Sequence, residues 1–145
     1  MSTLLLRDGS VAPGSAGLWV TLLTRVVAER GKVRIVPLTA TNDRTHADAV
    51  AEQARPNGTL VSVVRVATLG FGPGELRPDG AAGAWVVFRF EVLTTSSGVD
   101  VHGEGCAVAI VPESQVEAFI AARQDVGPRV RYLGARCPLR LSWVN

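Results

Sequence analysis

The segment 85-WVVFRFEVLTTSSGVDVHGEGCAVAIV-111 decides the fold. Two β-rich halves flank Thr95-Ser96-Ser97-Gly98, a four-residue turn signal, so the segment reads as a long β-hairpin. Setting Thr94 opposite Val99 carries Val92 to Val101, Phe90 to Gly103 and Phe88 to Gly105. Each aromatic ring then covers a glycine across the strand, a known stabilising pairing. The other face sets Glu91 against His102 and Arg89 against Glu104, both complementary in charge. A slip of one residue would turn every side chain to the wrong face, which makes this register a definite expectation.

Upstream of the hairpin, Leu60 to Phe71 is a β-branched run that is apolar on both sides of its pleat, and it predicts a central strand. Residues 72–83 are rich in glycine and proline and predict a long hairpin loop from that strand to the next. Further upstream, Leu18, Trp19, Leu22, Leu23, Val26 and Val27 recur at helical spacing. With Ser15 as N-cap and Gly31 just past the end, they predict an amphipathic helix. Thr3 to Arg7 and Lys32 to Leu38 read as strands, the second fraying or lying at an edge at Pro37. Thr45 with Asp48 fits an acidic form of the capping box, and a short alanine-rich helix follows to about Ala54, stopped before Pro56.

Downstream, Pro112 opens a helix with Val116, Phe119 and Ile120 on one face, ending by Gly127-Pro128. Arg129 to Leu133 and Leu139 to Val144 read as terminal strand segments interrupted at Pro138. The expected architecture is a single α+β domain over residues 1–145. Its mainly antiparallel sheet is packed by two or three helices, in the order β-α-β-α-β-β-β-α-β.

Composition supports a packed core: 145 residues, 47% hydrophobic and 19% charged. No apolar run approaches a membrane-spanning length. The N-terminus is too short and too soon acidic for a signal peptide, so the cytoplasm, or a particle made in it, is the expected compartment. Cys106 and Cys137 form no metal-ligand spacing and are expected as free, mostly buried thiols. Neither a metal nor a cofactor is implied.

Four clusters of residues carry potential chemistry. Asp100, His102, Glu104 and Cys106 are spaced by two and would share one face of a strand, an acid–imidazole–acid–thiol row suited to acid–base work. The plainer reading is a solvated face paired with Arg89 and Glu91, since neighbours on such a row sit nearly ~7 Å apart. Asp43, His46 and Asp48 form a second cluster, for which helix capping is the plainer role. Gly70 to Gly74 superficially suggests a phosphate loop but lacks the following helix. The loop residues Glu75, Arg77 and Asp79, with Arg129, Arg131 and Arg140 in the arginine-rich C-terminal part, are the expected partner-binding positions.

The chain contains no G-x-S-x-G and no H-E-x-x-H, and it has only two histidines. A net charge of +2, with Lys32 as the single lysine, weighs against nucleic acid. The leading expectation is therefore a non-enzymatic, self-associating assembly subunit. Small α+β subunits of phage tails and necks share this size and general element order, an analogy that does not fix function. The alternative is a small-molecule binder or enzyme with a pocket between a curved sheet and a helix, lined by Trp85 and Val87 beside Cys106 and Val108.

Overall fold

In the computed structural model the chain is described at residues 17–27, 32–57, 60–71, 76, 83–98, 100–123 and 129–142, with backbone alone at 25–27, 32, 33, 57 and 100–104. Among the described residues seven strands and two short helices follow one another: β1 (Gly17–Val27), β2 (Lys32–Thr41), α1 (Arg44–Ala54), β3 (Leu60–Ala67), β4 (Ala84–Thr94), β5 (Asp100–Pro112), α2 (Val116–Ala121), β6 (Val130–Cys137) and β7 (Leu139–Arg140). The architecture is broadly α+β and mostly sheet. Helix number and element order differ from the sequence expectation, and the strand expected at Thr3–Arg7 lies outside the described residues.

The largest correction concerns residues 17–27, which form a strand rather than a helix. β1 lies between β3 and β2 in a four-stranded sheet of order β3-β1-β2-β7. Leu18, Val20 and Leu22 face the core between the sheets, while Thr21 is buried on the other side beneath α1 and donates its Oγ1 hydrogen to the Ala47 carbonyl at 2.9 Å. A strand buried on both faces loses its polar alternation and reads as a continuous apolar run, which helical spacing fits equally well. The distinguishing signal was the density of β-branched residues, Val20, Thr21, Thr24, Val26 and Val27.

β3, expected to be central, is instead the outer member of that sheet. It is apolar on both sides because α1 covers one face of the sheet and the second sheet the other, not because strands flank it on both edges. Pro37 falls opposite Leu22 at a shift in the β1–β2 register, the kind of irregular position a strand proline requires.

α1 runs as expected to Ala54, followed by a 3-10 turn, Arg55–Asn57. Its N-cap is Asp43, whose carboxylate accepts from Thr45 N at 3.0 Å, so the expected Thr45–Asp48 capping pair is not the cap. Ala47, Ala51 and Ala54 form its buried face. α2 is shorter than expected: a 3-10 turn at Glu113–Gln115, then six residues. Val116 is buried and Phe119 and Ile120 are half-buried, the face expected of it.

The second sheet has the order β5-β4-β6. The predicted hairpin is present, but its register is shifted. Thr94 pairs with Asp100, not Val99, because Gly98 takes a left-handed conformation (φ +82°) after the Gly98 N–Thr95 O turn bond (2.9 Å), which lengthens the loop by one residue. A further shift between Phe90 and Val92 brings Phe90 opposite Gly105 and Phe88 opposite Ala107. The two shifts add to one strand period, so Phe90 and Phe88 still face the core and one aromatic–glycine pair survives, with a new glycine.

The two sheets pack face to face around Val20, Leu18, Val86, Phe88, Phe90 and Ile110, with Phe71 and Leu76 inserted from the connection between β3 and β4. That connection joins two sheets and is therefore a crossover rather than the expected hairpin loop. A smaller cluster of Val87, Ala109, Val111 and Tyr132 packs the second sheet against Val116 of α2. The layers are thus helix, sheet, sheet, helix.

At one end the sheets are stitched together on both sides. Thr68 bridges Ile110, with Leu69 N donating to Ile110 O at 2.9 Å. On the far side, β6 passes through Pro138 into β7, which pairs parallel with β2 at Ala40 and Thr41. The Asn42 side chain continues that pairing, donating to Ser142 O (2.7 Å) and accepting from Ser142 N (2.8 Å). At the opposite end, near Leu60 and Thr94, the described residues show no strand pairing between the sheets.

Candidate functional site

The open end holds the feature with the clearest capacity to bind. A cleft of about 410 Å³ lies between the two sheets. β1 contributes Leu22 and Thr24, β2 Ile35, and β3 Leu60, Ser62 and Val64. Across the gap, Gly105, Cys106 and Ala107 of β5 form the other wall. Among the described residues no ladder joins β3 to β5; the Thr68–Ile110 bridge just past β3 links their edges, and the cleft lies between the two strands. Leu60, 71% exposed, stands at the rim. Sequence reading missed most of this lining because it placed Leu22 and Thr24 on a helix.

The pocket expected at Trp85, Val87, Cys106 and Val108 is not assembled. Only Cys106 of the four lines the cleft, whereas Trp85, Val87 and Val108 pack together on the α2 side of the second sheet. A separate recess of about 410 Å³ lies there, between Trp85, Gly134, Glu113, Glu117 and Ile120. Arg136 donates to Glu113 beside it (Nη2–Oε1 2.8 Å). The Trp85 indole nitrogen is buried without a hydrogen-bond partner among the described residues.

The acid–imidazole–acid–thiol row depends on strict alternation along β5, and the β4–β5 pairing shifts register within it. His102 pairs with Val92 and Cys106 with Arg89, with a register shift between the two pairs. The expected oppositions of Glu91 with His102 and Arg89 with Glu104 are therefore replaced. Side chains of Asp100, His102 and Glu104 lie outside the description. In the second cluster, Asp43 caps α1, Asp48 sits 3.8 Å from Arg44, and His46 is half-buried. No metal-binding group occurs among the described residues.

Of the expected partner-binding positions, Arg129 and Arg131 stand exposed where β6 begins, beside the end of the β4–β5 ladder: Arg131 pairs with Phe90, and Arg129 O accepts from Val92 N at 2.6 Å. Arg140 is exposed on β7 at the stitched end, away from them. Glu75, Arg77 and Asp79 lie outside the described residues, while Leu76 among them is buried in the core.

The two thiols differ in environment. Cys106 is exposed, contrary to the expected burial, and Cys137 is buried. Burial pushes the Cys137 thiol from 9.0 up to about 12, so the native state keeps a proton that the unfolded chain gives up above 9.0. The unfolded state then binds fewer protons between those values, and stability falls as pH rises through the window. Urea midpoints measured at about pH 8 and about pH 10.5 will drop further for the wild-type chain than for Cys137→Ala.

No family model matches the chain, and neither a curated protein nor a solved structure matches it significantly. No helix among the described residues is long and apolar enough to cross a membrane.

Proposed function

We propose that this chain is a non-enzymatic subunit that associates with copies of itself or with neighbouring proteins through the end of its β4–β5 hairpin. One observation carries the reading. Among the described residues β6 pairs with β4 as far as Glu91 and Arg129 O accepts from Val92 N, whereas β4 and β5 continue pairing through Leu93 and Thr94 to the turn. The hairpin end beyond Val92 is a two-stranded arm among the described residues. Two strands alone are marginal in water, and a strand edge is a template for another chain.

The arm carries Leu93, 49% exposed, and the exposed Arg129 and Arg131 stand at its base. An apolar contact flanked by guanidinium groups suits a protein surface with carboxylates at its rim. The phage-subunit analogy rested on an element order that the structure changes, and it forms no part of the proposal.

Light scattering over a concentration series, at low and high salt, tests the reading. A discrete oligomer is expected, and Leu93→Lys or the pair Arg129→Glu and Arg131→Glu will shift it towards monomer. A wild-type chain that stays monomeric at every concentration and salt overturns the proposal.

A further inference from the structure

We propose that the cleft at the open end of the sandwich binds an uncharged, mainly apolar small molecule. The inference is independent of the assembly reading, because it concerns the space between the sheets and not the arm. Its first support is chemical. The described lining is aliphatic apart from the Thr24 and Ser62 hydroxyls, with Cys106 on the wall strand β5, and it contains no charged residue. A phosphate or carboxylate brought there would lose its hydration with no cation to replace it. An apolar body with one or two hydrogen-bonding atoms loses nothing of that kind and removes the aliphatic walls from water.

The second support is size. An apolar cavity of ~150 Å³ in another protein holds benzene. The cleft, at about 410 Å³, suits a molecule of two or three rings or an aliphatic chain of similar bulk. The third is position, since the mouths of β-barrels and the gaps between packed layers are where pre-formed ligand sites occur. Stitching at the far end holds the two walls, so the space is set by the fold and not by a mobile segment.

A reporter can be placed in the cleft by Ser62→Cys. Ser62 lines the cleft, on the same face of β3 as Val64 and Val66, whereas Cys106 pairs with Arg89 and turns away from Phe90, and Cys137 is 3% exposed. In a Cys106→Ala, Ser62→Cys chain iodoacetamide will therefore alkylate the cleft thiol first, at a rate set by access. The probe is N-phenyl-1-naphthylamine, a neutral aromatic amine whose fluorescence rises in apolar surroundings. Saturable one-to-one binding is expected, with alkylation in the Cys106→Ala, Ser62→Cys chain slowed about fivefold at saturation. Ser62→Trp, which fills the cleft, will weaken binding about tenfold or more.

Should Ser62→Trp fail to fold, protection of the thiol in the Cys106→Ala, Ser62→Cys chain decides alone. Absence of saturable binding, or binding that leaves the alkylation rate unchanged, overturns the proposal. Protection that appears on raising protein concentration without the probe also overturns it, since the occupant is then a second copy of the chain.

Discussion

Phe88→Ala is expected to lower the unfolding free energy by about 3–5 kcal/mol. Phe88 is the largest fully buried side chain among the described residues and sits mid-strand in β4, with Ala107 on one side and Leu133 on the other. Its ring occupies the space between the sheets with Leu18, Val20, Val86 and Ile110. Removing it takes away the transfer energy of the ring and leaves a void that the walls cannot close, because both sheets are fixed by ladder bonds and by the stitching at one end. Urea unfolding followed by far-UV circular dichroism measures the loss. A change below ~1 kcal/mol would show that the sheets do not pack in this manner.

Gly105→Val is expected to cost about 2–3 kcal/mol for a different reason, overpacking. A Cβ placed on Gly105 would lie 2.4 Å from Cε1 and 2.5 Å from Cδ1 of Phe90, so the ring must leave its site. Phe90 is 3% exposed and its ring centroid lies 6.3 Å from that of Phe88, so displacing it disturbs the packing between the sheets. The prediction includes its own control. In a Phe90→Leu background the obstructing ring is gone, and Gly105→Ala will cost at least ~1 kcal/mol less than in the wild-type chain. Additive costs would mean that Phe90 does not cover Gly105. The same cycle discriminates the register, because the sequence-based alignment sets Gly103, not Gly105, against Phe90.

That pair shows how far the sequence reaches. The rule that an aromatic ring seeks a glycine across the strand holds at Phe90, but the partner is set by two local irregularities. One of them, the left-handed Gly98, was legible in principle, because a glycine after Thr-Ser-Ser admits a loop one residue longer than a four-residue turn. The other, between Phe90 and Val92, follows from how the hairpin meets β6 and leaves no mark in the sequence. The candidate sites fared according to the same distinction. Arg129 and Arg131, singled out by charge, lie beside the end of the β4–β5 ladder. The row at 100–106 assumed unbroken alternation, and the β4–β5 pairing shifts register within it.

The sequence by itself determined the mixed class, the β-hairpin within residues 85–111, the extent of α1, the apolar face of α2 and the strand break at Pro138. These features rest on local signals: turn residues, caps, prolines and periodic patterns with one wet face. Tertiary structure alone decided that residues 17–27 are a strand, that β3 lies outside β1, and that β4 and β5 outrun β6. The last of these holds for the described residues, where Leu93 and Thr94 pair with β5 beyond the Val92–Arg129 bond. Tertiary structure also decided where the cleft opens. A strand covered by a helix on one side and a second sheet on the other has no wet face, and burial then erases the periodicity that tells strand from helix. Which strand edges meet, and where they part, depends on contacts between residues far apart in the chain.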